Sequence, residues 1–145
     1  MAIDTQSALD AERALDRTAA SHEASWALRD GTLVWPRFVQ PPSACEERAE
    51  IVAVDAARRV AGRAAYRRVY GPRAALSLEV GDAYWRRGLP AALLEQIRAL
   101  AALGGISTLM LRAPASDACM IALLCDELGA RSRDEGQEVD IELAV

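Results

Sequence analysis

The chain contains no lysine and no asparagine, only one histidine (His22) and one phenylalanine (Phe38), and aromatic residues make up 5% of its 145 positions. Apart from His22, all 17 basic side chains are therefore arginine. A GC-rich coding bias is the simplest source of both absences. The three cysteines, Cys45, Cys119 and Cys125, form no CxxC pair and no histidine-spaced cluster, which excludes a disulfide framework and a zinc site and leaves reduced thiols. No apolar run reaches the roughly 18 residues of a membrane span, and Met1-Ala2-Ile3-Asp4 lacks the charged and apolar parts of a secretory leader. A cytoplasmic protein without a membrane partner is expected. The net charge of -4 argues against a general nucleic-acid surface.

What remains, 52% hydrophobic and 26% charged, suits one compact domain able to bury its own core. Residues 5–18 carry a thin helical stripe (Ala8, Leu9, Ala11, Leu15), marginal without a partner, and residues 1–25 read as an N-terminal extension to a domain over 26–145. Asp30-Gly31 marks a turn before a strand over about 32–39, where Pro36 points to an edge or bulge. Strands over 50–55, 60–69 and 73–80, joined by short turns, predict an antiparallel meander. From Leu89 the period changes: Leu93, Leu94, Ile97, Leu100 and Ala101 predict a helix, with Pro90 in its first turn and Gly104-Gly105 at its end. A strand over 107–112 then completes a strand, helix, strand crossover, whose two strands should be parallel neighbours. Ser116 or Asp117 can cap a second helix with Met120, Leu123, Leu124 and Leu128 on one face, ended by Gly129. Alternation of Val139, Ile141, Leu143 and Val145 with polar neighbours predicts a last, half-buried antiparallel strand.

The segment from Asp82 to Ile106 joins a glycine-containing turn to a helix. Amides at a helix start lack intrahelical partners and sit at the positive end of the helix dipole, an arrangement that suits a phosphate group, and Arg86 and Arg87 add charge there.

In this order of elements, with LRDGT (28–32), VAVD (52–55), GRAAYRR (62–68), V-x-D (80–82) and DELGA (126–130), the chain resembles the GNAT superfamily of acetyl-CoA-dependent N-acetyltransferases, closest to the bacterial protein lysine acetyltransferase type. The resemblance covers about residues 28–145. It implies an α/β (α+β) fold with a mixed, mostly antiparallel central sheet, a βαβ crossover and flanking helices. It also implies acetyl-CoA as co-substrate and an amine or protein lysine as acceptor. Cofactor contacts would come from Val80, Asp82, Trp85, Arg86, Arg87, Gly88, Leu89 and Ala91.

The family loop, Gln or Arg, two residues, Gly, one residue, Gly or Ala, falls on Trp85 to Pro90, and only Gly88 matches. Pro90 stands at the last small position and has no N–H to donate. The usual glutamate base falls on Ala75, leaving Glu79 on the same strand as the candidate catalytic residue. The usual tyrosine falls on Cys125, and the helix-opening asparagine on Asp117. Where the family inserts helices between its first two strands, residues 40–49 leave room for little more than a turn. An open sheet flank of this kind invites a homodimer. Two functions follow: direct acyl transfer from acyl-CoA to an amine, or a non-catalytic binding or regulatory module of the same fold. The arginines 58, 59, 63, 67, 68 and 73, with Tyr66 and Tyr70 among them, read as a solvated sheet face rather than a nucleic-acid platform.

Overall fold

The computed structural model describes residues 25–39 and 46–145. The helix expected over 5–18, His22 and Cys45 lie outside the described residues. Among the described residues, eight strands form one sheet: β1 (Trp26–Ala27), β2 (Leu33–Phe38), β3 (Arg48–Val54), β4 (Val60–Tyr70), β5 (Arg73–Val80), β6 (Thr108–Pro114), β7 (Arg131–Glu135) and β8 (Glu138–Ala144). Their order is β1-β2-β3-β4-β5-β6-β8-β7. Every neighbour is antiparallel except β5 and β6, which run parallel across the crossover helix. The meander, the crossover and the final antiparallel strand are as the sequence pattern leads one to expect. The two-residue β1 and the fully exposed β7 carry no hydrophobic alternation, so periodicity could not locate them.

Pro36 pairs with Ala53 in β2, past the two positions where β1 covers its other side. At that edge a missing N–H costs no ladder bond. The β3–β4 turn is built on Asp55, whose Oδ1 accepts from the amides of Ala57 (2.8 Å) and Arg59 (2.9 Å), while Arg58 takes a left-handed φ of 67°. The first of these is an Asx turn.

The crossover helix α1 (Leu89–Leu103) turns Leu89, Leu93, Leu94, Ile97 and Ala101 inward at helical spacing. They pack on one face of the sheet, against Ala49, Ile51 and Ala53 of β3, Ala64 and Tyr66 of β4, and Ala74, Leu76 and Leu78 of β5. The alanines let the helix lie low. Gly62 lets it lie lower still, because a Cβ there would stand 3.0 Å from Leu93 Cδ1 and 3.3 Å from Leu89 Cδ2. Each fully buried leucine of this kind contributes about 1.5–3 kcal/mol. The far end of α1 is clipped to the sheet: Tyr66 donates its hydroxyl to Leu100 O (3.3 Å), and Arg68 donates to Gly104 O (2.7 Å), to Glu46 O (2.8 Å) and to Gly71 O.

Helix α2 (Ala118–Ala122) continues as a π turn over Leu123–Glu127. Asp117 caps it, accepting from Met120 N at 3.2 Å, so of the two expected caps the aspartate is used. Met120, Leu123 and Leu124 join the same buried cluster as Val139, Ile141 and Leu143 of β8. The paired residues Ala74, Leu109 and Leu143 are buried across three strands, so both helices cover one face of the sheet. No helix among the described residues is long and apolar enough to cross a membrane.

Candidate functional site

Two features meet where β5 ends. The first is the turn into α1. A 3-10 turn over Asp82–Arg87 delivers the chain to Gly88, whose φ of 91° lies in the left-handed region that glycine tolerates without cost. The hydrogen-bond ladder of α1 starts with Ala92 donating to Gly88 O at 3.2 Å, and Pro90, fully buried, has no N–H. The amides of Leu89 and Ala91 are therefore the donors at this helix start.

Above them lies a cleft of about 240 Å³ lined by Arg29, Trp85, Arg86, Gly88, Pro90 and Ala91 on one side and by Cys119 of α2 and Glu127 of the π turn on the other. Arg29 reaches the loop from the turn before β2. Its amide donates to Arg87 O at 2.9 Å, and its side chain lies flat on Gly88, where a Cβ would meet Arg29 Nε at 3.2 Å. Its only ion pair among the described residues is a long one, 3.8 Å to Glu127 Oε1. Arg86 has no carboxylate partner among the described residues.

Arg87 is engaged differently. Its Nε meets Asp30 Oδ2 at 3.1 Å and its guanidinium lies 5.3 Å from the Tyr84 ring centroid. The Thr32 amide bound to Asp30 (3.0 Å), helped by the Arg87 charge, holds the Asp30 carboxyl below its ordinary range. Arg87 thus knits the LRDGT turn to the helix start.

The second feature is a split in the sheet. β5 and β6 pair only at Arg73–Thr108, Ala74–Leu109 and Ala75–Met110. Beyond Ala75 the strands part, and Leu76–Val80 runs on without β6, a length of roughly 16 Å at about 3.3 Å per residue. Backbone groups along that edge lack their strand partner and are available to a ligand. The cleft lies at the far end of this split, at the start of α1.

No protein-family model and no curated protein matches the chain. Solved structures do. The chain superposes on the GNAT domain of S. lividans PAT with a TM-score of 0.73 at 19% identity, covering 90% of this chain and 100% of that one. The chain has the GNAT fold. It also superposes on a cAMP-binding acyltransferase from Mycobacterium smegmatis (E234A mutant; TM-score 0.71, 21% identity, 83% of this chain), and spans about half, 47%, of that protein's length. A third GNAT-fold relative is the PaiA N-acetyltransferase from Thermoplasma acidophilum, solved in complex with coenzyme A (TM-score 0.61, 15% identity, covering 68% of this chain and 62% of that one).

Of the residues that the GNAT resemblance named, Trp85, Arg86, Gly88 and Ala91 line the cleft. Leu89 does not: its side chain is fully buried under α1, so only its amide faces the loop. Arg87 is held by Asp30 and Tyr84, and Val80 and Asp82 stand outside the lining. Glu79 is three-quarters exposed, paired with Arg63 Nε at 3.7 Å, and lines neither this cleft nor the depression on the opposite face of the sheet. Cys125 is half-buried in the π turn; the thiol that lines the cleft is Cys119. Arg29 and Glu127 do not stand out in the sequence, although they fall inside the motifs LRDGT and DELGA. Nothing local in those motifs says that they pair with each other where Arg29 lies against Gly88. The arginine-rich stretch is not one surface, since Tyr66 and Arg68 turn toward α1 while Arg63 and Arg67 point away from it.

Proposed function

We propose that the protein is an acyl-CoA-dependent N-acyltransferase working by direct transfer. The observation that carries this reading is the presence, in one molecule, of a cationic cleft at the α1 start and a split between β5 and β6 that opens toward the end of β5 from which the turn into α1 leaves. In this reading the coenzyme A pyrophosphate lies in the cleft. It is held by the amides of Leu89 and Ala91 and by the guanidinium groups of Arg29 and Arg86, while Arg87 fixes the turn that carries Arg29. Two guanidinium groups there offset the donor that Pro90 removes; one charge-assisted bond of this kind is worth about 1.5–3 kcal/mol. The pantetheine arm runs down the split, bonding the free edge of β5, and brings the thioester to Ala75, where the strands meet.

The acceptor's neutral nitrogen attacks the thioester carbonyl, a C–N bond forms, the C–S bond breaks, and the coenzyme A thiolate leaves. The proton shed by the nitrogen passes through water to the leaving thiolate, because Ala75 can accept none; Cys119 and Glu127 stand at the cleft, not at this point. Glu79 keeps a supporting part only if the acceptor extends along the exposed end of β5.

Calorimetric titration with acetyl-CoA and with free coenzyme A tests the reading. Micromolar binding that weakens in both Arg29→Ala and Arg86→Ala is the expected result. No heat of binding at millimolar ligand, with the protein folded, overturns it.

A further inference from the structure

The face of the sheet opposite α1 and α2 carries a feature that the cofactor cleft does not use. Register places Arg48 of β3, Arg67 of β4, Ala75 of β5, Met110 of β6 and Glu142 of β8 in one row across the strands. The neighbouring row is Glu50, Ala65 and Ser77, and it ends at β5 because the sheet has split. Paired residues share a face, so all of these lie opposite α1. The small side chains of Ala65, Ala75 and Ser77 form the floor of a depression of about 220 Å³, walled by Arg48, Arg67 and Glu50.

Arg48 and Arg67 are direct cross-strand partners, and like charges in that relation repel. Other arginines on this face have acids: Arg63 pairs with Glu50 (3.2 Å) and Arg73 with Glu142 (2.6 Å). Among the described residues neither Arg48 nor Arg67 has a carboxylate partner, so the depression holds two uncompensated guanidinium groups side by side. Glu50 is the contrasting group. Its side chain is 22% exposed, Oε2 faces Arg63, and Oε1 has no partner among the described residues. The arginine row and the glutamate row are two residues apart along β3, roughly 7 Å. A cation and an anion a few bonds apart match that spacing.

We propose that this depression is the acceptor site and that it takes a small primary amine bearing an anionic group, a carboxylate or a phosphate. Arg48 and Arg67 hold the anion, and Glu50 draws the amine onto the floor between Ala65 and Ala75. The floor includes Ala75, the last residue paired with β6, which places the nitrogen beside the thioester of the acyltransferase reading, on which this inference rests. A lysine within a basic peptide is the wrong partner, since it would add positive charge to two unpaired arginines.

The probes are O-phosphoethanolamine and β-alanine, each set against ethanolamine, titrated into the full chain without coenzyme A. Both anionic amines should bind and ethanolamine should not; the better of the two identifies the anion. Arg48→Ala and Arg67→Ala should each weaken that binding by about tenfold or more while leaving the coenzyme A Kd within about twofold. Because each substitution relieves a repulsion, the melting temperature of the ligand-free variants should equal or exceed that of the parent. Equal binding of ethanolamine and its phosphate, or unchanged affinity in the arginine variants, overturns the inference. If coenzyme A fails to bind but the anionic amines bind through Arg48 and Arg67, the acyltransferase reading falls and the anion site stands.

Discussion

The two faces of the sheet are built by opposite rules. On the covered face, alanine, leucine and isoleucine from β3, β4, β5, β6 and β8 meet α1 and α2 in one buried cluster. On the face that α1 and α2 leave bare, the alternate residues of β3, β4 and β5 include Arg48, Glu50, Ala65, Arg67, Ala75 and Ser77, and these form a charged depression instead of a core. The pleat makes this division unavoidable, because residues i and i+2 share a face. One face therefore carries stability and the other is free to carry recognition. The cleft at the α1 start lies past the end of β5, where the two regimes meet.

The sharpest way to break this comparison is to truncate one side chain on each face. Leu93→Ala should lower the unfolding free energy by about 2–5 kcal/mol in urea denaturation, because it opens a cavity under α1. Arg48→Ala should lower it not at all. Equal losses would mean that the bare face is structural. Next in size, Arg29→Ala should weaken coenzyme A binding roughly ten- to a hundredfold, the worth of one charge-assisted contact. Arg87→Ala, which loses an exposed pair to Asp30, should weaken it by less than about threefold. The opposite order would return the phosphate contact to Arg87. Pro90→Ala restores a helix-start N–H and should tighten coenzyme A binding by up to about tenfold, while lowering the melting temperature because Pro90 is fully buried.

The smallest effect concerns pH. The carboxyls of Asp30, Asp55 and Asp140 are held low, by the Thr32 amide, the Arg59 amide and the Arg112 side chain respectively. A lowered folded-state value means stability that is complete above the unfolded value, about pH 4, and lost as the pH falls through the folded value. Melting temperatures should hold from neutrality to about pH 5 and decline below about pH 4. Asp140→Asn, which breaks the 2.6 Å pair with Arg112, should shallow that decline slightly.

Elements with a strong period are legible in the amino-acid order alone. The meander, α1 and β8 each have enough apolar residues at the spacing of 2 or 3.6 to reveal their type, and Gly88, Pro90 and Gly129 mark turns by their own backbone limits. The loop's glycine-turned entry into α1 is legible for the same reason. Arg29 is not, because its role depends on a turn some sixty residues earlier in the chain folding back over Gly88. The pairing of Arg48 with Arg67 is also hidden. Both arginines are visible, but only the β3–β4 register makes them neighbours, and the bulge at Ala53 and Val54 shifts that register by one residue.

The sequence by itself determined which residues turn inward, where the chain reverses and that the crossover is parallel, since burial period and backbone stereochemistry act over a few residues. Tertiary structure alone decided which arginine meets the cleft and which is held in an ion pair. It also decided where β5 and β6 part and which charges on the bare face go unpaired. Those outcomes depend on distances between segments far apart in the chain, and no local preference encodes them.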